Sequence, residues 1–530
     1  MVICLFPGCR EKDPQIDAIY PRIGKMGEVL TIRGAYFGEN QEESYVTVAG
    51  FAPTTTAYIT WRDDLISLTI PEFAEAGLVY VHRGNKKSNA ALFSNEETIP
   101  KPIFGADAET GPRIISINPK SAPIGGIVTI TGNNFGISRE GSSVWFTWGV
   151  EASSSAPAEL IGPASVEVLE NDFGYEVWGE REIRVRVPDG AMSGNLEIRT
   201  ARGNSRPNYF EVSEKPGIKT FRNKLSYAIS YSVDIQVQEA SSANTLYLWL
   251  PQPVNSASQR LGEPLSRRED PFIENYRGLS LYKLKDLETN KRKEIAVSYP
   301  VEVYTVETSV RSREIRQNRP ASLYAAYTAP SPLIPGDDPR IKRQASSIAG
   351  REQNPYLKAQ LIYRWLISEG GIKPGPLTGD ALDALANKQA DPYQAALLFC
   401  ALARAEGIPA IPAAGILVDQ NSAAVRHYWA EFWIDGFGWI PVDPALGAGA
   451  CPAKFNLAQE NGEYYFGNLD NQRVTFSRGE VHLTQMESQG RTSGRERYYA
   501  IQNLWEEAVG GLESYSSLWN DIVINGIYQE

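Results

Sequence analysis

The sequence has no apolar run long enough to cross a bilayer as a helix. Its 530 residues are 42% hydrophobic and 22% charged, which are ordinary values for globular proteins. A spanning helix needs about 18 or more consecutive apolar residues, and no such stretch occurs. The chain is too long for one core and fits three to five domains of roughly 100 to 200 residues each. We therefore expect a multidomain globular protein.

Basic residues and histidines are too few to favour several common functions. The chain has 63 acidic against 52 basic residues and a net charge of -11, whereas phosphate binding needs a basic face. Nucleic acid is therefore excluded as a general partner. Only three histidines occur, and no His/Cys cluster has metal-ligand spacing and no phosphate loop is present. No metal or nucleotide cofactor is implied.

Cysteine is scarce too, and its placement suggests an anchor. The four cysteines are Cys4, Cys9, Cys400 and Cys451. This is too few for a disulfide framework. The run Met1-Val-Ile-Cys-Leu-Phe-Pro-Gly-Cys9 resembles the end of a bacterial lipoprotein signal, whose cysteine is lipidated after cleavage. The resemblance implies a signal remnant over residues 1–12, a lipid on Cys9 as the link to a membrane, and an extracytoplasmic location at the cell surface or in the periplasm. An apolar N-terminus without an anchor is the alternative.

Two copies of one pattern follow this segment. The landmarks of the first copy recur 98 positions later (112 - 14), and the matching sets are Pro14, Ile16, Ile19, Pro21, Gly27, Thr31, Ile32, Gly34, Phe37, Gly38 and Pro112, Ile114, Ile117, Pro119, Gly125, Thr129, Ile130, Gly132, Phe135, Gly136. Later landmarks recur at an offset of 117 (188 - 71), and these are Pro71, Gly77, Ser88, Phe93 and Pro188, Gly194, Ser205, Phe210. The second copy therefore carries 19 extra residues (117 - 98) between Gly136 and Pro188.

The repeated motifs predict two β-sandwiches. Apolar residues alternate, as in residues 29–32 and 183–187, and glycine or proline separates the runs, which is typical of short antiparallel strands. The Pro, Gly and Phe-Gly spacing resembles that of IPT/TIG domains, which are immunoglobulin-like. The resemblance covers about residues 13–97 and 108–214. Residues 99–102 and 215–217 are expected to be linkers.

A third β-rich unit is expected at residues 218–334. Alternating runs occur at 231–237, 246–251 and 301–306, as in half-buried strands. The segment Leu250-Pro-Gln-Pro253 ends one of these runs.

Helix signals dominate the start of the last unit, residues 335–530. Asp337-Asp338 and Asn354 come before prolines, and apolar runs at 357–367 and 381–386 follow, as expected for capped helices. The most regular helix begins at Asp391 as the N-cap, with Pro392 at the first helical position and Gln394 two residues later. This is a capping-box pattern.

Three linked motifs resemble the transglutaminase-like (papain-like) superfamily. They are Arg404-Ala-Glu-Gly-Ile-Pro409, His427-Tyr-Trp-Ala-Glu431 and Gly438-Trp-Ile-Pro-Val-Asp-Pro444. The resemblance implies an α+β core with acyl transfer or amide hydrolysis by Cys, His and Asp, in which His427 shuttles a proton and Asp443 orients the imidazole through Nδ1.

The nucleophile position departs from the family pattern. The family cysteine lies twelve residues before the motif arginine, and the residue twelve before Arg404 is Pro392. Proline supplies neither a nucleophilic atom nor an N–H for an oxyanion. Cys400, eight residues further along the helix, is expected to be a core residue, and Cys451 a free thiol.

The residues favour a binding function over catalysis. We expect a surface-anchored, non-catalytic transglutaminase-like protein that binds a peptide, protein or glycan, with Tyr393, Trp429 and Trp439 lining the cleft. The alternative is an active cysteine transamidase or peptidase that uses Cys400 or Cys451 with His427 and Asp443. Aromatic residues near the C-terminus, Tyr498 to Trp519, are expected mainly to pack a core.

Overall fold

The computed structural model of the chain describes residues 12–41, 44–54, 57–71, 74, 77–96, 111–139, 141–149, 165–213, 216–276, 278–317, 319–368, 373–375 and 379–529. Cys9, nearly all of the 1–12 segment, the linker expected at 99–102 and residue 215 of the second linker lie outside these ranges. The chain divides into two compact units, Met1–Ala108 with His482–Gly490 and Glu109–Val481 with Arg491–Glu530.

The first unit contains a β-sandwich of mainly antiparallel strands. Its strands are β1 (Gln15–Tyr20), β2 (Ile23–Gly24), β3 (Val29–Ala35), β4 (Tyr45–Val48), β5 (Tyr58–Arg62), β6 (Leu65–Thr69), β7 (Gly77–Arg83), β8 (Lys86–Lys87) and β9 (Ala91–Asn95). One sheet has the order β1-β3-β6-β5 and the other β2-β9-β7-β4, with β8 beside β7. Among the described strands of this unit, only the short pair β2–β9 is parallel. Inward residues alternate along the strands, as in Leu30 and Ile32, and form the core between the sheets.

The second sandwich repeats this plan at the start of the second unit. Its strands are β10 (Arg113–Asn118), β11 (Ser121–Ala122), β12 (Ile127–Asn133), β13 (Ser143–Trp148), β14 (Ser165–Glu167), β15 (Tyr175–Trp178), β16 (Glu182–Arg186), β17 (Ala191–Thr200), β18 (Gly203–Asn204) and β19 (Asn208–Val212). Its sheets have the orders β10-β12-β16-β15 and β11-β19-β17-β13-β14, with β18 beside β17.

Matching residues of the two sequence copies have the same strand register in the two sandwiches. Ile114 pairs with Gly132 as Ile16 pairs with Gly34, and a bulge follows each pair. Strand β13 begins 98 residues after β4 (143 - 45), whereas β15 begins 117 after β5 (175 - 58). The 19 extra residues of the second copy therefore lie between Trp148 and Tyr175, a narrower interval than the sequence alone defined.

The β-rich segment predicted at residues 218–334 is built on one strand of 35 residues. It contains β20 (Gly217–Pro251), β21 (Gln259–Leu261), β22 (Ser266–Arg267), β23 (Ile273–Tyr276), β24 (Leu279–Lys285) and β25 (Arg292–Val310). Strand β20 pairs with β25 along its first half and with β24 near its end.

The C-terminal strands complete this β-rich sheet, although the sequence assigned them to the last unit as an extension of the transglutaminase-like domain. Strands β32 (Arg491–Arg495), β33 (Leu504–Trp519) and β34 (Val523–Gln529) belong to the sheet of β20. Strand β33 pairs with β20 from Val233 to Leu248, and β34 pairs with it from Leu225 to Ser230. The pairing joins segments more than 250 residues apart, so no local pattern could signal it.

The last unit combines helices with a small antiparallel sheet, and it is preceded by helix α1 (Ala321–Thr328), which lies within the 218–334 segment predicted to be β-rich. Its elements are α2 (Pro339–Ala349), α3 (Pro355–Ile367), β26 (Lys373–Pro374), α4 (Ala381–Asn387), β27 (Gln389–Ala390), α5 (Pro392–Ala405), β28 (Ala410–Val418), β29 (Ala424–Ile434), β30 (Gly438–Val442), α6 (Pro444–Gly447) and β31 (Arg473–Arg478). The sheet order is β30-β29-β28-β31. Among the described residues, no helix has the length and apolar character needed to cross a membrane.

The extra residues of the second sandwich contact this sheet directly. Asp172 accepts a hydrogen bond from Trp439 Nε1 at 3.1 Å and one from Arg478 Nη1 at 3.4 Å. Arg478 also donates to Glu431 on β29 at 2.6 Å. Beside these contacts, buried Asp189 accepts two hydrogen bonds from Lys219 Nζ at 2.6 and 2.8 Å. Arg478 of β31 therefore links Asp172 of the second sandwich to Glu431 of β29, and Lys219 of β20 links to Asp189 of the same sandwich.

Candidate functional site

His427 lies on β29 beside a close approach of strands β28 and β31. It lies opposite Gly415 in the register of these strands and has only 1% of its surface exposed. A Cβ at Gly415 would lie 2.0 Å from the Val474 carbonyl oxygen and 3.0 Å from Trp429. Only glycine leaves room for this close approach.

Asp443 holds the imidazole from the end of β30. Its Oδ2 lies 2.7 Å from His427 Nε2, so the contact is through Nε2 and not through Nδ1 as the sequence led us to expect. Oδ1 accepts the Leu446 N–H at 3.0 Å and caps α6. The hydrogen bond leaves Nδ1 as the ring nitrogen that could face a nucleophile.

Arg473 supplies a positive charge beneath this pair. On β31, its Nη1 donates to Asp443 Oδ2 at 3.0 Å and its Nη2 to Asp470 Oδ2 at 2.6 Å. Burial would raise the pKa of Asp443, but His427 and Arg473 hold that pKa below its ordinary value. The four side chains form one buried ionic network, in which Asp443 stays ionised.

The helix that should carry the nucleophile begins as the sequence predicted. Asp391 accepts the Gln394 N–H at 3.0 Å, Gln394 Oε1 accepts the Asp391 N–H at 2.9 Å, and Pro392 is the first residue of α5. Every residue from Tyr393 to Arg404 is buried. The helix start is complete, but the residue at the family's nucleophile position has neither a thiol nor an amide hydrogen.

A C-terminal segment lies against this helix start. Arg497 Nη1 donates to Asp391 Oδ2 at 2.6 Å, and its guanidinium lies 4.2 Å from the Tyr393 ring centroid. The Tyr393 hydroxyl donates to the Ile501 carbonyl at 2.9 Å, and the Tyr428 hydroxyl to the Arg497 carbonyl at 2.8 Å. Both residues that flank Pro392 are therefore held by residues 497–501.

Strand β29 presents different residues on its two faces. Tyr428 meets the first turn of α5, with its ring 5.1 Å from that of Tyr393. His427 and Trp429 alternate with it, and their rings are 6.2 Å apart. Among the described residues, no hydrogen bond or ring contact joins His427 to α5. His427 and Trp429 lie on the other face of β29, where the guanidinium of Arg473 from β31 lies over the Trp429 ring.

Neither described cysteine has the character of a reactive thiol. Cys400 is fully buried in α5, and burial raises its pKa to about 12. Cys451 is partly exposed, and burial together with the charge of Asp443 raises its pKa. Its sulfur donates weakly to the carbonyls of Pro452 and Phe455. In the part of the chain that is described, neither sulfur hydrogen-bonds to His427.

The aromatic residues expected in the cleft are packed in cores. Tyr393 is 6% exposed, Trp429 1% and Trp439 2%. Trp429 packs with Ala413 and Leu469, and Trp439 belongs to the cluster shared with the second sandwich. These three side chains therefore form no open binding surface.

The sequence missed Arg473 and Asp470, because neither lies in a recognisable motif. A weak signal exists, since Arg473 stands on the same face of a strand as Thr475 and Ser477 while Val474 and Phe476 occupy the other. Tyr498 and Tyr499 are buried, as expected for packing residues. Within the described ranges, no group of three or more His, Cys, Asp or Glu side chains is arranged to hold a metal ion.

A capped central helix, an antiparallel sheet and a His–Asp pair at its edge are the parts of a papain-like core. Residues 342–444 match the profile of the transglutaminase-like superfamily, and residues 14–98 and 112–211 match the IPT/TIG domain. The chain thus carries a transglutaminase-like core behind two IPT/TIG domains, and the resemblance stated from the motifs is confirmed.

Individual proteins show more distant similarity. An uncharacterized protein of Haemophilus influenzae is 26% identical over 306 aligned residues, which cover 47% of this chain and 78% of that protein. A candidate cysteine protease of Cytophaga hutchinsonii is 17% identical, with a TM-score of 0.38, and covers 59% of this chain and 93% of its own. A surface glycan-binding protein of Prevotella bryantii is 8% identical, with a TM-score of 0.14, and covers 57% of this chain and 99% of its own.

Proposed function

We propose that the transglutaminase-like core is non-catalytic and that the chain is a surface-anchored protein that binds a peptide, protein or glycan. One observation carries the proposal: Pro392 is the first residue of α5, where the family pattern has its cysteine. A papain-like reaction needs a thiolate and an oxyanion donor at that point, and proline supplies neither.

The surroundings of the helix start support this proposal. Arg497 pairs with Asp391, and Ile501 accepts the Tyr393 hydroxyl, so a peptide chain already occupies the flanks of the position where a substrate would approach. Closing lids in enzymes open during turnover. Here an ion pair, a cation–π contact and two hydrogen bonds hold residues 497–501 against the start of α5 and the neighbouring Tyr428.

Iodoacetamide labelling with mass-spectrometric mapping tests the alternative, an active transamidase or peptidase that uses Cys400 or Cys451. The raised pKa of both thiols means slow alkylation near pH 7, no faster than that of free cysteine. Rapid labelling of either thiol in wild type, lost in His427→Ala, would instead favour the enzyme.

The location is a separate part of the proposal and has a separate test. Mass spectrometry of the native N-terminus should find Cys9 as a lipidated first residue. Finding Met1 at the N-terminus of the native protein would remove the anchor and leave the non-catalytic core unaffected.

A further inference from the structure

A pocket lies between helices α2 and α4, on different elements from those that hold His427. Its volume is about 330 Å³, which falls within the range of small-ligand sites. Helix α4 and the residue after it contribute Leu382, Leu385, Ala386 and Lys388. Helix α2 contributes Arg340, Arg343 and Gln344, which the i, i+3, i+4 spacing places on one helix face.

The pocket has an apolar floor and a rim of donors. Leu382 and Leu385 are partly buried and pack against the core. Arg343 and Gln344 have no hydrogen-bond or ion-pair partner among the described side chains. Lys388 follows α4 in the left-handed conformation, with φ of 55°, and its ammonium lies 4.6 Å from the Trp365 ring centroid. This cation–π contact holds the charge at the rim without neutralising it.

The carboxylates near the pocket bind or attract the guanidinium of Arg340. Its Nε and Nη2 donate to Asp338 at 3.1 and 2.9 Å. Asp380 and Asp383 add further attraction for this guanidinium. Within the described ranges, no carboxylate pairs with Arg343 or Lys388, and the described residues that line the pocket include no carboxylate. The rim therefore complements an anion, and the floor an apolar group.

We propose that the α2–α4 pocket binds an acidic peptide segment, with carboxylates at Arg343 and Lys388 and an apolar side chain on Leu382 and Leu385. Two cations from different helices beside one apolar floor suit an extended chain that alternates acidic and apolar residues. Guanidinium and ammonium donors to a carboxylate make stronger hydrogen bonds than neutral pairs. This inference rests on the binding role proposed above and specifies a class of ligand for it. It requires no chemistry at His427.

Fluorescence anisotropy with a fluorescein-labelled peptide of alternating leucine and glutamate tests the site on the full chain. Arg343→Glu should weaken binding at least about tenfold through charge repulsion at the contact. Lys342→Glu makes the same charge change at the neighbouring exposed residue of α2, which does not line the pocket, and should weaken binding by a clearly smaller factor than Arg343→Glu. Leu385→Ser should weaken binding without changing its salt dependence, and circular dichroism checks that each variant folds.

Several outcomes would overturn the proposal. They are no binding at millimolar peptide, equal losses in Arg343→Glu and Lys342→Glu, or binding of decanoate but not of the peptide, which would identify a fatty acid as the occupant. His427→Ala should leave peptide binding unchanged. If that variant instead abolished a turnover found in wild type, the non-catalytic role would fail while the pocket stood.

Discussion

At the residue scale, Arg473 is the side chain on which the buried charges of the core depend. It is 2% exposed and bonds both Asp443 and Asp470. Arg473→Met should lower the free energy of unfolding by about 3 to 5 kcal/mol, because it leaves two buried carboxylates without their cation. Urea denaturation at pH 7 measures this, and Arg473→Lys should recover part of the loss.

The same network has a defined pH dependence. The pKa of Asp443 is below its ordinary value of 3.8 in the folded chain, so its contribution is present above that pH and is lost as the pH falls through the folded pKa. Asp443→Asn should therefore flatten the loss of stability below about pH 4. An unchanged acid slope in Asp443→Asn would show that other carboxylates set it.

Pro392→Cys tests whether the helix start keeps the electrostatics of a nucleophile site. A thiol at the N-terminus of α5 should have a lowered pKa and alkylate about tenfold or more faster at pH 7 than Cys451. His427→Ala in the same chain shows whether the imidazole assists. A rate no greater than that of Cys451 would mean that residues 497–501 shield this position or that the thiolate is not stabilised.

The motif residues could be predicted at this scale, but their partners could not. His427 and Asp443 stand in a spaced pattern that the family fixes, so their pairing followed from sequence. The choice of Nε2, the role of Arg473 and the burial of Trp429 depend on which strand faces meet in the folded sheet. Those are tertiary facts that local spacing does not contain.

At the element scale, the start of α5 is held by two separable interactions. Asp391→Ala removes the cap acceptor and the ion pair with Arg497, and should cost about 1 to 2 kcal/mol in the free energy of unfolding. Asp391→Asn keeps an acceptor for the Gln394 N–H and should cost less than about 1 kcal/mol. Equal losses for the two variants in urea denaturation would show that the ion pair, and not the cap, stabilises the helix start.

Helix starts were predictable because their signals are local. Asp338, Asn354 and Asp391 are N-caps before proline in both sequence and structure. Helix α1 was missed because Ala321–Thr328 lacks a capping side chain and an apolar stripe. The tandem sandwiches were predictable because repetition doubled each weak strand signal.

At the scale of the whole molecule, the C-terminal strands pair with a strand from the middle of the chain. Strands β33 and β34 pair with β20, so deletion of residues 504–529 should abolish the cooperative unfolding of the second compact unit, even though it leaves residues 342–444 intact. Deletion of residues 523–529 alone removes only β34, which pairs over a shorter length of β20, and should leave a cooperative transition at a lower urea midpoint. Both are read by circular dichroism during denaturation. A cooperative transition of the second unit in the longer deletion, beyond that of the separate first unit, would contradict the shared sheet.

The central claim is that the core keeps the fold and the His–Asp pair of its superfamily without the chemistry. A glutamine-donor transamidation and amide-hydrolysis assay on wild type, His427→Ala and Cys400→Ser/Cys451→Ser tests it most directly. We expect all three to show the same background rate, because Pro392 provides no nucleophile. Turnover by wild type that is lost in His427→Ala and in the double cysteine variant would contradict the account.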